Sequence, residues 1–167
     1  STVINNGVPT IIYTSARIRC KSIATSHDGM VTWKRHPDNP VIPERCADEE
    51  RLNLDVFAWW DEDDQTWYAL SGGRAGGAQN DAGQNVGTTY LFQSDDLVNW
   101  RYLNPLLKGK SPAVSGEQWD MSHMFKLGDK HVLLITAYPK KPADGREQWD
   151  NPKAFDMTQE MGWIGRF

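Results

Sequence analysis

Apolar and polar positions alternate in short runs along the chain, and no long window carries an apolar stripe of helical period. Three runs read as buried strands: Pro9 to Ser15, Thr66 to Gly72 and His131 to Ala137. Each follows a polar turn, respectively Asn5-Asn6-Gly7, Asp61-Glu62-Asp63-Asp64 and Gly128-Asp129-Lys130. Before each turn lies another strand: Thr2 to Ile4, Val56 to Trp60, and Met124 to Leu127. β-branched and aromatic runs on both sides of turn-forming residues are hairpin signals. The pattern predicts an all-β chain.

A longer-range echo organises these hairpins. Ser26-His27-Asp28-Gly29-Met30-Val31-Thr32-Trp33 returns as Ser94-Asp95-Asp96-Leu97-Val98-Asn99-Trp100, one residue shorter, with the two tryptophans 67 residues apart. Each copy follows a short apolar run, Ser22 to Thr25 or Thr89 to Gln93. Each is followed by a basic residue, Lys34 or Arg101, and then by Asn-Pro and two aliphatics, Asn39-Pro40-Val41-Ile42 and Asn104-Pro105-Leu106-Leu107. Four short antiparallel strands repeating every 60 to 70 residues describe propeller blades. The Ser-x-Asp turn then joins a blade's third and fourth strands.

By this count the chain is a partial β-propeller of about two and a half blades. The first lacks only the start of its innermost strand, the second is complete, and the third stops with Gly162 to Phe167, which match a third strand. A polar insert, Tyr138 to Met161, interrupts that last blade. The alternative is a β-sandwich carrying coincidental motifs. Because a propeller closes on itself to remove sheet edges, the expected partners are the remaining blades of a larger protein, or another chain.

Composition narrows the function. The 167 residues carry 18 basic and 22 acidic side chains, a net charge of −4, without the clustered basic excess of a nucleic-acid footprint. No apolar run is long enough for a helical membrane span and no signal-peptide pattern opens at Ser1. Neither nucleic acid nor membrane is therefore an expected partner, and the location, extracellular or cytoplasmic, stays open. Cys20 and Cys46 allow one pairing but make neither a disulfide framework nor a zinc site alone. No metal and no cofactor is expected. Eight tryptophans, more than either Phe or Tyr, point to sugar-stacking surfaces or a repeated packing motif.

Innermost propeller strands line the central cavity, so polar residues at their starts are the candidates for chemistry. Asp55 opens one such strand in Leu52-Asn53-Leu54-Asp55-Val56-Phe57-Ala58-Trp59-Trp60. Asp120 holds the equivalent place in Gln118-Trp119-Asp120-Met121-Ser122-His123-Met124-Phe125. Two carboxylates facing one funnel are what glycosidic cleavage needs: one protonates the leaving oxygen, the other attacks or stabilises an oxocarbenium-like centre. Trp59 and Trp60 point to opposite faces of their strand, so one of them can meet a sugar. Trp119 and His123 are further candidates for substrate contact. Core packing accounts for Trp33 and Trp100. Gly72 to Gly77 lacks the Gly-Lys-Ser/Thr ending of a phosphate loop and reads as a flexible rim loop between the second and third strands. Glu117-Gln118-Trp119-Asp120 recurs as Glu147-Gln148-Trp149-Asp150, a coincidence or a rim contact.

The runs Gly7 to Thr14, His27 to Trp33 and Tyr90 to Trp100 resemble glycoside hydrolase family 32, the family of invertases, inulinases, levanases and related fructosyltransferases. Trp119-Asp120 with Lys126 to Leu133 resembles its third-blade motif as well. The resemblance spans nearly the whole chain and implies a five-bladed propeller. Counting an absent first blade, residues 1 to about 50 would be blade two, about 51 to 110 blade three, and about 111 to 167 the start of blade four; alternatively the motifs fall one blade earlier. It implies a retaining enzyme acting on sucrose or fructan oligosaccharides. The family's Arg-Asp-Pro motif maps onto Leu54-Asp55-Val56, making Asp55 the transition-state stabiliser, with the flanking Arg and Pro replaced. Its Trp-Glu-Cys-Pro motif maps onto Trp119-Asp120-Met121-Ser122, making Asp120 the general acid/base, one methylene shorter than the family's Glu. Nothing in the chain matches the family's Asn-Asp-Pro-Asn-Gly nucleophile motif, so the chain alone is not expected to hydrolyse fructosides. The non-enzymatic alternative is a propeller piece that binds carbohydrate or serves assembly. A weaker alternative is a related five-bladed arabinoside- or xyloside-acting enzyme.

Overall fold

The structure, a computed structural model, describes residues 1–15, 20–43, 45–47, 50–52, 55–76, 85–138 and 159–165. Three antiparallel sheets follow one another along the chain. In the first, β1 (Thr2–Asn5), β2 (Val8–Ser15), β3 (Cys20–Thr25) and β4 (Lys34–Arg35) lie side by side in chain order. A small hairpin, β5 (Arg45–Ala47) and β6 (Glu50–Leu52), leads into the second sheet. There β7 (Phe57–Asp61), β8 (Thr66–Ala75), β9 (Val86–Ser94) and β10 (Arg101–Lys108) again pair in order, and β6 shares the inner edge of β8 with β7. One helical turn, α1 (Pro112–Ser115), precedes the third sheet of β11 (Gln118–Leu127), β12 (Lys130–Tyr138) and β13 (Gln159–Gly165).

The hairpins form where the turn chemistry stands. Asn6 and Gly7 both take positive φ, 50° and 79°, the backbone that a tight turn between twisted strands requires. Between β7 and β8 the Asp61 carboxylate accepts the amides of Asp63 and Asp64, both at 3.0 Å. The repeated Ser-x-Asp turns are built alike: Ser26 Oγ donates to Asp28 at 2.9 Å and Ser94 Oγ to Asp96 at 3.1 Å. Each aspartate then collects amides further along, Thr32 at 2.9 Å for Asp28 and Asn99 at 2.7 Å for Asp96. The turns join β3 to β4 and β9 to β10, as the repeat predicts.

β8 is buried on both faces, and its alternation divides the core. Trp67 and Ala69 pack with Ile12, Ile23 and Ile42 of the first sheet's cluster. Tyr68 and Leu70 pack with Trp119, Met124 and Leu133 of the third sheet's cluster. The second sheet is thus the middle layer, and the two junctions beside it bury most of the large apolar side chains. Trp100 packs against the first cluster, its indole N–H donating to Leu97 O at 2.8 Å. Trp33 departs from its expected core role: it ends an exposed turn and is 37 % accessible. On the third sheet Phe125, Leu134 and Ile164 face outward, uncovered. Among the described residues no helix is long and apolar enough to cross a membrane, and Cys20 makes no disulfide. The recurring Glu147 to Asp150 and most of the insert lie outside the described residues.

Candidate active site

Asp55 stands where the inner edge of β8 changes partner. β7 pairs as far as Phe57 opposite Leu70, and β6 pairs from Leu52 opposite Gly73. Ser71 and Gly72 lie between these pairings. Ser71 Oγ bridges the gap by donating to the Asp55 carbonyl at 2.9 Å, which fixes the backbone of an otherwise exposed residue at the mouth of β7.

Gly72 positions the second carboxylate. The β11 backbone packs directly on it, so that a Cβ there would stand 2.6 Å from Trp119 O and 3.0 Å from Asp120 Cα. Neighbouring residues of one strand therefore seat both aspartates. This corrects the expectation of a flexible loop: Gly72 and Gly73 are β-strand, and Gly72 is bare because another backbone must approach. The strand ends after Ala75, and Gly77 lies outside the described residues.

A one-residue bulge sets the direction of Asp120. Asp120 pairs with Thr136 but His123 with Leu134, and Met121 inside the bulge takes φ 48°. The extra residue inverts the side-chain alternation, a common way to re-aim a group beside a site. Trp119 faces the core before the bulge, whereas Ser122 and Met124 do so after it. Ser122 and Thr89 hydroxyls share a hydrogen bond of 2.9 Å, which ties β11 to β9.

The bulge also overturns the sugar-facing role expected of Trp119. Its side chain is fully buried, the indole N–H donates to Ser115 O at 2.6 Å, and the ring packs 5.2 Å from Trp163. Gly87 makes the room, since a Cβ there would meet the indole at 2.1 Å. Trp119 holds the strand that carries Asp120. It offers no face to a ligand.

The carboxyls of Asp55 and Asp120 meet across the junction in a hydrogen bond. Burial, then the contact with Asp55, pushes the Asp120 carboxyl up to about 7, against the opposing pull of the Met121 amide and the Lys21 ammonium. The Met121 N–H donates to Asp120 Oδ1 at 3.0 Å. Lys21 was missed in the sequence. It lies on β3, is fully buried, and its charge acts on both Asp55 and Asp120. Burial lowers its ammonium to about 8, the two carboxylates resisting. The available signal was a lysine set directly before the buried run Ser22 to Ala24, although sequence alone does not reveal its burial.

His123 lies beside Phe57 of β7, ring centroids 5.0 Å apart, on the side of β11 away from Met124. Trp59 and Trp60 do lie on opposite faces: Trp59 stacks on Tyr68 at 5.5 Å, and Trp60 meets Trp67 edge-on at 5.3 Å. Neither is at the carboxylate end. Trp59 is four residues along the strand from Asp55, about 13 Å at strand rise. There the two tryptophans line a separate cleft of about 360 Å³ with Asp61, Phe125, Lys126 and His131. The structure thus brings together Asp55 and Asp120 of the expected set, with His123 on the same inner strand as Asp120, and places the three tryptophans elsewhere.

The glycosyl hydrolases family 32 N-terminal domain matches residues 1–166. A sucrose-6-phosphate hydrolase of Zymomonas mobilis is 26 % identical over 149 residues, covering 80 % of this chain and 27 % of that protein. Among solved structures, the beta-fructofuranosidase BmSUC1 of Bombyx mori superposes with a TM-score of 0.71 at 23 % identity, over 99 % of this chain and 33 % of its own. The sucrose-6-phosphate hydrolase of Lactobacillus gasseri superposes with a TM-score of 0.68 at 20 % identity, over 100 % of this chain and 32 % of its own. The chain therefore spans about a third of the length of these proteins, and its three sheets form part of their propeller-type fold. By sequence match over nearly its full length, the chain belongs to glycosyl hydrolase family 32.

Proposed function

We propose that these sheets supply two of the working carboxylates of a retaining β-fructofuranosidase-like enzyme, a hydrolase or fructosyltransferase acting on sucrose or fructan oligosaccharides. They take the places of blades two and three and the start of blade four. The carrying observation is the Asp55–Asp120 contact, with one carboxyl raised to about 7. A group half-protonated near neutral pH is suited to give a proton and take it back. Asp120 protonates the glycosidic oxygen, then removes a proton from the incoming water or sugar hydroxyl. Asp55 accepts hydrogen bonds from fructosyl hydroxyls as positive charge develops on the ring.

The same contact argues against Asp55 as nucleophile. A retaining pair stands about 5 Å apart with the anomeric carbon between, whereas these carboxyls touch each other. No Asn-Asp-Pro-Asn-Gly run occurs in the 167 residues, so in this reading the nucleophile comes from the remainder of the assembled propeller. The similarity to proteins named for hydrolysing sucrose 6-phosphate, and to BmSUC1, also solved in complex with sucrose, supports the substrate class.

A second reading, a carbohydrate-binding or assembly module without turnover, is favoured by Leu54 and Val56 beside Asp55 and by Asp at position 120. The intact protein incubated with sucrose, inulin and levan separates the two. Release of fructose or longer fructans supports the enzyme, and Asp120→Asn is then expected to lower kcat by about 10²- to 10⁴-fold. An unchanged rate in that variant refutes the assigned acid/base, and binding without turnover supports the second reading.

A further inference from the structure

We propose that Thr89 is a positioning residue for Asp120: its hydroxyl pins β11 just after the bulge that aims the carboxylate, while its cross-strand partner Gly72 seats the strand just before. This rests on the reading of Asp120 as the acid/base and extends it to a residue that no sequence motif marks.

Thr89 of β9 pairs directly with Gly72 of β8. Directly opposed residues of an antiparallel sheet present their side chains on one face, and here that face meets β11. At position 72 the missing Cβ admits the β11 backbone, since a methyl would stand 2.6 Å from Trp119 O and 3.0 Å from Asp120 Cα. At position 89 a hydroxyl fills the neighbouring space and meets Ser122 Oγ at 2.9 Å. One cross-strand pair therefore holds β11 at Trp119 and Asp120 and again at Ser122, on either side of Met121. Met121, at φ 48°, faces outward and is 52 % accessible, so the bulge is anchored through its flanks.

Burial makes the hydroxyl bond matter. Thr89 is 0 % and Ser122 2 % accessible, so neither can exchange its partner for bulk water. A buried hydroxyl that loses its partner is costly, whereas two removed together cost little. The bond reaches the carboxylate in two short steps. Only Met121 separates Ser122 from Asp120, and the Met121 N–H donates to Asp120 Oδ1 at 3.0 Å. Slack at Ser122 therefore moves the amide that holds the carboxylate, and with it the carboxyl that meets Asp55.

Two substitutions at position 89 separate this role from packing. Thr89→Val keeps the shape and drops the hydroxyl; Thr89→Ser keeps the hydroxyl and drops the methyl. In the intact protein Thr89→Val should lower kcat on sucrose on the order of 100-fold with KM little changed. In carboxyl-carbon NMR of aspartate-labelled protein, its Asp120 midpoint should fall from about 7, because the carboxyl is wetted and parts from Asp55. Thr89→Ser should return both readings to near the parent values. The reverse order, Ser harmful and Val harmless, overturns the proposal, because Thr89 is then a packing residue. Thr89→Val/Ser122→Ala removes both hydroxyls and should regain the parent's urea midpoint, with Asp120 still displaced. A double variant in which the Asp120 midpoint recovers along with stability overturns the proposal, as does one that fails to fold. The titration needs no turnover: sugar binding without cleavage by the parent refutes the acid/base reading, and the Asp120 midpoint in Thr89→Val tests Thr89 in either case.

Discussion

Replacing Gly72 with alanine probes how the second and third sheets seat the carboxylates. The new methyl would stand 2.6 Å from Trp119 O, 2.9 Å from Trp119 C and 3.0 Å from Asp120 Cα. All three atoms are backbone, so no side-chain rotation relieves the clash. Ordinary contact begins near 3.4 Å, and β8 and β11 must therefore part by about 0.8 Å. Two effects oppose each other. Alanine restricts the unfolded chain and gains about 0.4–1 kcal/mol, while forcing a methyl into a packed junction costs about 1–3 kcal/mol. The clash wins, leaving a net loss of about 1–2 kcal/mol. The separation breaks the Asp55–Asp120 hydrogen bond and wets Asp120, so its titration midpoint falls from about 7 toward the ordinary carboxylate range. Displacement on this scale lowers kcat on the order of 100-fold. Urea unfolding followed by far-UV circular dichroism reads the stability, and carboxyl NMR reads the midpoint. Gly165→Ala, where nothing lies within 4 Å of the new methyl, serves as the neutral control. A Gly72→Ala protein as stable as its parent, with Asp120 still titrating near 7, refutes the reasoning.

Two further outcomes follow from the same geometry. Ser71→Ala strips the buried hydroxyl from the Asp55 carbonyl and should cost about 1–3 kcal/mol in urea unfolding. It should also lower the Asp120 midpoint as Asp55 drifts away; an unaltered midpoint would show that Ser71 does not seat Asp55. Asp28 and Asp96 are both held down at about 2, Asp28 by its bonds from Thr32 and Ser26, and Asp96 by those from Asn99, Val98 and Ser94, which outweigh its burial. A depressed carboxylate stabilises the fold above its unfolded value near 3.9, and that stability is lost as pH falls toward 2. Stability should therefore decline between about pH 4 and 2. The Asp28→Asn/Asp96→Asn protein should show a shallower decline over the same range, and parallel acid curves would contradict the turn assignment.

The hairpins and the repeated turns were legible because each rests on local chemistry. Asn6-Gly7 and the Ser-x-Asp runs close turns within a few residues, and the repeat fixes the equivalence of positions 55 and 120. Whatever depended on how one sheet meets the next was not legible. Trp119 reads as a strand-opening aromatic until the bulge at Met121 puts it on the same face as Met124. Gly72 reads as a loop residue until β11 is seen against it. Trp59 and Trp60 were correctly placed on opposite faces, but strand rise carries both away from Asp55. Lys21 gave the weakest signal, because a charge preceding an apolar run ordinarily lies on the surface.

The junctions beside β8 also have a temporal meaning. Hairpins such as β1–β2, β7–β8 and β11–β12 form within microseconds once collapse begins, whereas stacking one sheet on another waits for contacts far apart in sequence. Asp55 stands just ahead of β7 and Asp120 lies in β11 of the third sheet, so the two carboxyls meet only once those sheets dock. The proton affinity of Asp120 is then a marker of maturation. A chain with full strand content and an ordinary aspartate at position 120 has its hairpins but has yet to dock them.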